Sequence, residues 1–66
     1  MFVLGNLYDI FSGNKYIEVI YDKPDRNGDY EAYTGMLENC SNKLLCKRIL
    51  YLDNSNAFLH VVIEKY

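Results

Sequence analysis

The chain has no tryptophan, one proline, one histidine, two cysteines and only four glycines among its 66 residues. Each shortage removes a class of chemistry. Gly5, Gly13, Gly28 and Gly35 stand singly, so no glycine-rich loop is present to cradle a phosphate. His60 lies inside the apolar run Phe58-Leu59-His60-Val61-Val62-Ile63, with no nucleophile or orienting group near it in sequence, which argues against a general base. Cys40, Cys46 and His60 are too few to complete a zinc site unless a carboxylate or a second chain joins them. The expectation is therefore a non-enzymatic protein without metal or cofactor. Glu18 and Glu31 are the nearest thing to an acid–base pair, but a two-stranded outer surface gives such a pair no cleft.

Cations are also scarce. Seven Lys and Arg against nine Asp and Glu leave a net charge of −2. A general electrostatic grip on nucleic acid needs clustered cations, and Lys43, Lys47 and Arg48 form the only candidate strip. No apolar run approaches the ~20 residues that span a bilayer. The opening segment Met1 to Leu7 has no positive charge and soon meets Asp9, unlike a secretory leader. A disulfide across the short segment from Cys40 to Cys46 is geometrically open. In the absence of a leader, reduced thiols and a cytoplasmic location are the expectation.

What is abundant is apolar and aromatic surface. Half of the residues are hydrophobic and seven are tyrosine, a composition that folds rather than stays disordered. Tyrosine combines a large ring with a hydrogen-bonding tip, which suits the semi-exposed strand faces of one small domain covering residues 1–66. The strongest local signal is Asn27-Gly28, which predicts a two-residue hairpin turn. With Arg26 opposite Asp29, Ile17, Val19 and Tyr21 share a core-facing side with Ala32, Thr34 and Met36. The outer side then gathers Tyr16, Glu18, Ile20 and Asp22 with Asp29, Glu31 and Tyr33.

Around this hairpin the pattern predicts an all-β fold: a small five-stranded antiparallel meander, closed as an SH3-like barrel. Strands are expected near residues 2–11, 15–23, 29–36, 45–53 and 57–65, with one short helical turn around 36–42. In the first segment, Gly5-Asn6 marks a bend. Residues 44–53 fit a strand or a short helix, being apolar on both faces. If Ser55-Asn56 is a two-residue turn, Leu50 and Leu52 meet Val61 and Leu59, with Lys47 opposite Glu64; a three-residue loop slips that register by one. The expected core is Leu4, Ile17, Val19, Ala32, Leu50, Leu59, Val61 and Ile63. Ile49, Tyr51 and Val62 are then left over, which points to a homodimer through the last hairpin or an edge strand.

The outer side of the central hairpin has two readings. It is a solvated face with tyrosines favoured by β propensity, or a docking surface in which acids steer a basic partner and tyrosines anchor it. On the second reading the partner-binding residues are Tyr16, Glu18, Asp22, Glu31 and Tyr33. The stretches Tyr16-Ile-Glu-Val-Ile-Tyr-Asp22 and Asp29-Tyr-Glu-Ala-Tyr33, the small size, the all-β pattern and the lack of a catalytic motif together carry a resemblance. The chain resembles the very small, acidic, single-domain proteins of bacteriophages and mobile elements, some of which are anti-CRISPR or other anti-defence inhibitors. The resemblance spans the chain in style and rests on no specific motif, so it transfers no functional residue. It implies an inhibitor that binds a nucleic-acid-handling defence enzyme, often by occluding its nucleic-acid site. The modest net charge departs from strongly acidic DNA mimics. The alternative readings are a small barrel that binds single-stranded nucleic acid, or a sponge that sequesters a nucleotide-like ligand.

Overall fold

A computed structural model describes residues 1–54 and 57–66. Its centre is a mixed sheet of four strands, β1 (Tyr16–Tyr21), β2 (Glu31–Met36), β3 (Ile49–Asp53) and β4 (Leu59–Ile63), in the order β2-β1-β4-β3. β1 and β2 are antiparallel, as are β3 and β4, but β1 and β4 run parallel side by side. The fold is thus β-rich as predicted, yet among the described residues it has four strands, not five, in an open sheet rather than a closed meander.

The missing strand is the first segment. Leu4–Asp9 is a 3-10 helix. In that geometry residues i and i+3 eclipse, so Leu4 and Leu7 point to one side and both are fully buried. The Asn6 side chain accepts the Val3 N–H at 2.8 Å and holds the turn at the bend that Gly5-Asn6 marks. Only Val3 keeps strand character, in a bridge to Arg48. The expected helical turn after β2 is present as a 3-10 turn, Leu37–Asn39, followed by the four-residue α1, Asn42–Leu45.

These helical segments cover one face of the sheet. Ile17, Val19, Leu59, Val61 and Ile63 from β1 and β4 pack there against Leu4, Leu7, Leu37 and Cys40, with Leu44 and Leu45 at the margin. Leu7, Leu37 and Cys40 are core residues that strand periodicity does not reveal. Two expected core residues are not fully buried: Ala32 is half-buried and packs against the margin of the core, and Leu50 is 41% exposed. Leu50 leaves the core because β3 is bulged. Ile49 pairs with Ile63 and Tyr51 with Val62, so Leu50 is the extra residue of the bulged strand. Beyond the bulge Arg48, rather than Lys47, lies against Glu64, with 3.4 Å between guanidinium and carboxylate. The two-residue turn expected at Ser55-Asn56 lies outside the described residues. Both cysteines are free thiols. Cys40 is buried, and burial pushes its pKa up.

The central hairpin turns differently from the expectation, and the difference changes its register. A type I′ turn needs positive φ at Asn27 as well as Gly28; only Gly28 has it, at 84°. Asp25 organises a longer loop instead. Its carboxylate accepts the N–H groups of Asn27 and Asp29 at 2.8 and 3.0 Å, and its carbonyl accepts that of Gly28 at 3.0 Å. The two bonds to the carboxylate, that of Asp29 first, hold the Asp25 carboxyl below the usual carboxylate range. A second irregularity between Val19 and Ile20 leaves Ala32 unpaired. The result sets Val19 opposite Tyr33 and Glu18 opposite Thr34. Gly28→Ala is expected to destabilise the protein by about 1–2 kcal/mol, the cost of left-handed backbone for a residue with a Cβ. Nothing lies within 4 Å of that Cβ, so urea unfolding of this variant isolates the backbone effect.

Candidate functional site

The uncovered face of the sheet is the candidate site, and strand register builds it row by row. Paired residues on neighbouring strands share a face. Ile17 and Val19 point to the core with Leu59 and Val61, so Tyr16, Glu18 and Ile20 of β1 point outward beside Phe58, His60 and Val62. β2 adds Met36 next to Tyr16, Thr34 next to Glu18 and Glu31 next to Ile20. On the far side, β3 adds Asp53 next to His60 and Tyr51 next to Val62.

Three rows therefore cross the strands. The first is apolar and aromatic: Met36, Tyr16 and Phe58, whose two rings lie 5.3 Å apart and tilted by 52°. The middle row is polar: Thr34, Glu18, His60 and Asp53. Glu18 Oε1 lies 2.8 Å from His60 Nδ1. A carboxylate only accepts, so the proton of this bond sits on Nδ1 and the ring orientation is set. Phe58 packs edge-on against the same imidazole, with centroids 5.7 Å apart. The third row, Glu31, Ile20, Val62 and Tyr51, is aliphatic at its centre. Met36, Tyr16, Phe58 and Tyr51 are all exposed, Tyr51 to 60%.

Of the five residues expected to bind a partner, the structure brings together three. Tyr16 and Glu18 are adjacent on this face, and Glu31 joins them through its pairing with Ile20. Tyr33 does not, because the register places it opposite Val19 on the helical side. Its ring lies over Gly35, where a Cβ would come within 2.7 Å of the hydroxyl, and that hydroxyl donates to the Met36 carbonyl at 2.6 Å. Burial raises the Tyr33 phenol above its ordinary pKa. Asp22 also leaves the face. Its N–H donates to the Ile63 carbonyl and its carboxylate accepts the Lys65 N–H, tying the end of β1 to the segment after β4.

Phe58 and His60 are the members that sequence reasoning missed. Alternation along β4 places them on one face, but nothing local says that this face continues that of Tyr16 and Glu18. Among the described residues there is no concave pocket and no cluster of three or more His, Cys, Asp or Glu suited to a metal ion. The face is flat, aromatic at one end and crossed by a polar row. No helix among the described residues is long and apolar enough to cross a membrane. No family model matches the chain, and no curated protein or solved structure is significantly similar to it.

Proposed function

We propose that this chain is a non-enzymatic protein-binding module and that its contact surface is the open face of the sheet. The observation that carries this reading is the parallel pairing of β1 with β4, which sets Tyr16 and Phe58 beside the Glu18–His60 pair. A sheet face that is merely solvated has no use for two touching aromatic rings, an exposed Met36 and an exposed Tyr51 in one patch. Aromatic anchors of this kind dominate the energy of protein interfaces, whereas acids on the rim mainly steer the approach. Glu18, Glu31 and Asp53 give the patch an acidic character, which fits a basic partner surface. Enzymes that handle nucleic acid present such surfaces, in line with the resemblance to phage-encoded anti-defence inhibitors. The same acids oppose a phosphate backbone, which speaks against the single-stranded nucleic-acid reading.

The test is capture of a partner from bacterial lysate, its identification by mass spectrometry, and titration of the purified pair. Tyr16→Ala combined with Phe58→Ala is expected to weaken binding by more than about 30-fold, the scale of a truncated hot spot. Glu31→Lys slows association and makes it less salt-sensitive, since the steering field is screened over ~10 Å at 0.1 M salt. Lys43→Glu, in α1 on the helical side, leaves the affinity unchanged. A partner that binds the double alanine variant as well as the parent refutes this surface. A co-purifying nucleotide with no protein supports the ligand-sequestering alternative.

A further inference from the structure

We propose that a second copy of this chain docks on the same open face, giving a two-fold dimer with the two sheets packed face to face. The inference uses the surface described above but rests on its self-complementarity, not on the identity of any other partner. A two-fold axis lying between the sheets, parallel to the strands and midway between β1 and β4, places β1 over the second copy's β4 and β2 over its β3. The rows then stay in register. Tyr16 meets the second copy's Phe58, Glu18 meets its His60, and Ile20 meets its Val62. In the outer columns the Thr34 hydroxyl meets the second copy's Asp53, and Glu31 meets its Tyr51. Ring faces ring, aliphatic faces aliphatic, and no carboxylate faces a carboxylate.

The perpendicular choice fails on charge. An axis running along the middle row, the placement that overlaps the whole faces, maps each strand onto itself and so sets Glu18 over Glu18 and Asp53 over Asp53. Packed sheets keep their strands within about 30° of each other, which the first axis satisfies and which strand twist accommodates. Pairing through sheet edges is blocked by other means. Phe2–Leu4 cover the start of the β3 edge through Ile49 N–H to Phe2 O and Leu4 N–H to Lys47 O, at 2.8 and 2.9 Å. The bulge at Leu50 distorts the rest, and on β2 the Tyr33 hydroxyl occupies the Met36 carbonyl. The edges are guarded; the face is not.

Four strands about 4.8 Å apart and five or six residues long present roughly 400 Å² per copy. That is about half of a standard interface, so the dimer is weak and concentration-dependent. Sedimentation equilibrium from about 10 μM to about 1 mM is expected to show the mass rising from 7.7 kDa towards twice that value. Tyr51→Glu places a carboxylate against the second copy's Glu31 at two symmetric positions, and the mass then stays at 7.7 kDa throughout. Tyr51 is exposed, so this variant keeps the parent circular dichroism spectrum. Adding Glu31→Lys to the same chain restores the rise. Within one copy β2 and β3 are three strand spacings apart, about 14 Å, so the rescue reports contact between copies. A parent protein that stays monomeric overturns the dimer and leaves the partner-binding reading standing. Dimerisation that survives Tyr51→Glu, or is lost to it and not rescued by Glu31→Lys, overturns the face-to-face arrangement.

Discussion

Replacing Leu59 by alanine is expected to lower the unfolding free energy by about 3–5 kcal/mol, through lost transfer energy and the cavity left behind. A domain of this size has only about 3–10 kcal/mol in total. Leu59 is fully buried, opposite Ile17 at the join between the parallel strands. Its neighbours cannot close over the gap without breaking the register of β1 against β4. In urea, at roughly 1 kcal/mol per molar for a small chain, the midpoint falls by about 3 M or the protein unfolds outright. Leu50→Ala is the control. Leu50 is equally apolar in sequence but exposed at the bulge, so its loss costs less than about 1 kcal/mol. Equal effects of the two substitutions, followed by circular dichroism, contradict the core described above.

Ending the chain after Asn54 is expected to abolish the fold. β4 is an interior strand although it is the last in sequence, and it supplies a neighbour to both β1 and β3. Without it, Leu59, Val61 and Ile63 leave the core together and β3 has no strand partner. What remains is the β1–β2 hairpin under three short helical segments, and an isolated hairpin is marginal in water. Amide resonances of the truncated chain should collapse into the narrow range of an unfolded polypeptide. Adding a peptide of residues 57–66 should recover dispersion by refilling the slot between β1 and β3. A truncated protein with a dispersed spectrum on its own means that β4 is not the centre of the sheet.

Much of the open face was legible in the chain. Alternation in β1 put Tyr16, Glu18 and Ile20 on one side and Ile17 and Val19 on the other, and the burial follows that division. The loss of Tyr33 from the face has a definite cause. Side chains in a strand alternate with period two. The one-residue shift between Val19 and Ile20, which leaves Ala32 unpaired, therefore exchanges the faces of Tyr33, Thr34 and Met36. Glu31, on the turn side of the shift, keeps the outer face. The loop is also longer than Asn27-Gly28 implied, because the Asp25 carboxylate captures two backbone N–H groups. The pairing beside it still sets Glu31 next to Ile20 on the outer side. Asp25 lies two residues before the turn signal and was the clue to the longer loop. In the first segment, the spacing of Leu4 and Leu7 by three is a helical signature, masked by enough other apolar residues to mimic a strand.

Local chemistry determined a β-rich chain with alternating strands at β1 and β4, a helical turn after β2, and an acidic, aromatic strand in the middle. Those are properties of neighbours in sequence, where periodicity and turn propensity act over a few residues. Only the tertiary structure decided that β4 inserts beside β1 and runs parallel to it, because that pairing joins segments almost 40 residues apart. Its selection depends on which arrangement buries Ile17, Val19, Leu59, Val61 and Ile63 under Leu4, Leu7 and Leu37 together. The neighbourhood of Tyr16, Glu18, Phe58 and His60 follows from that long-range choice, which is why no local pattern could announce it.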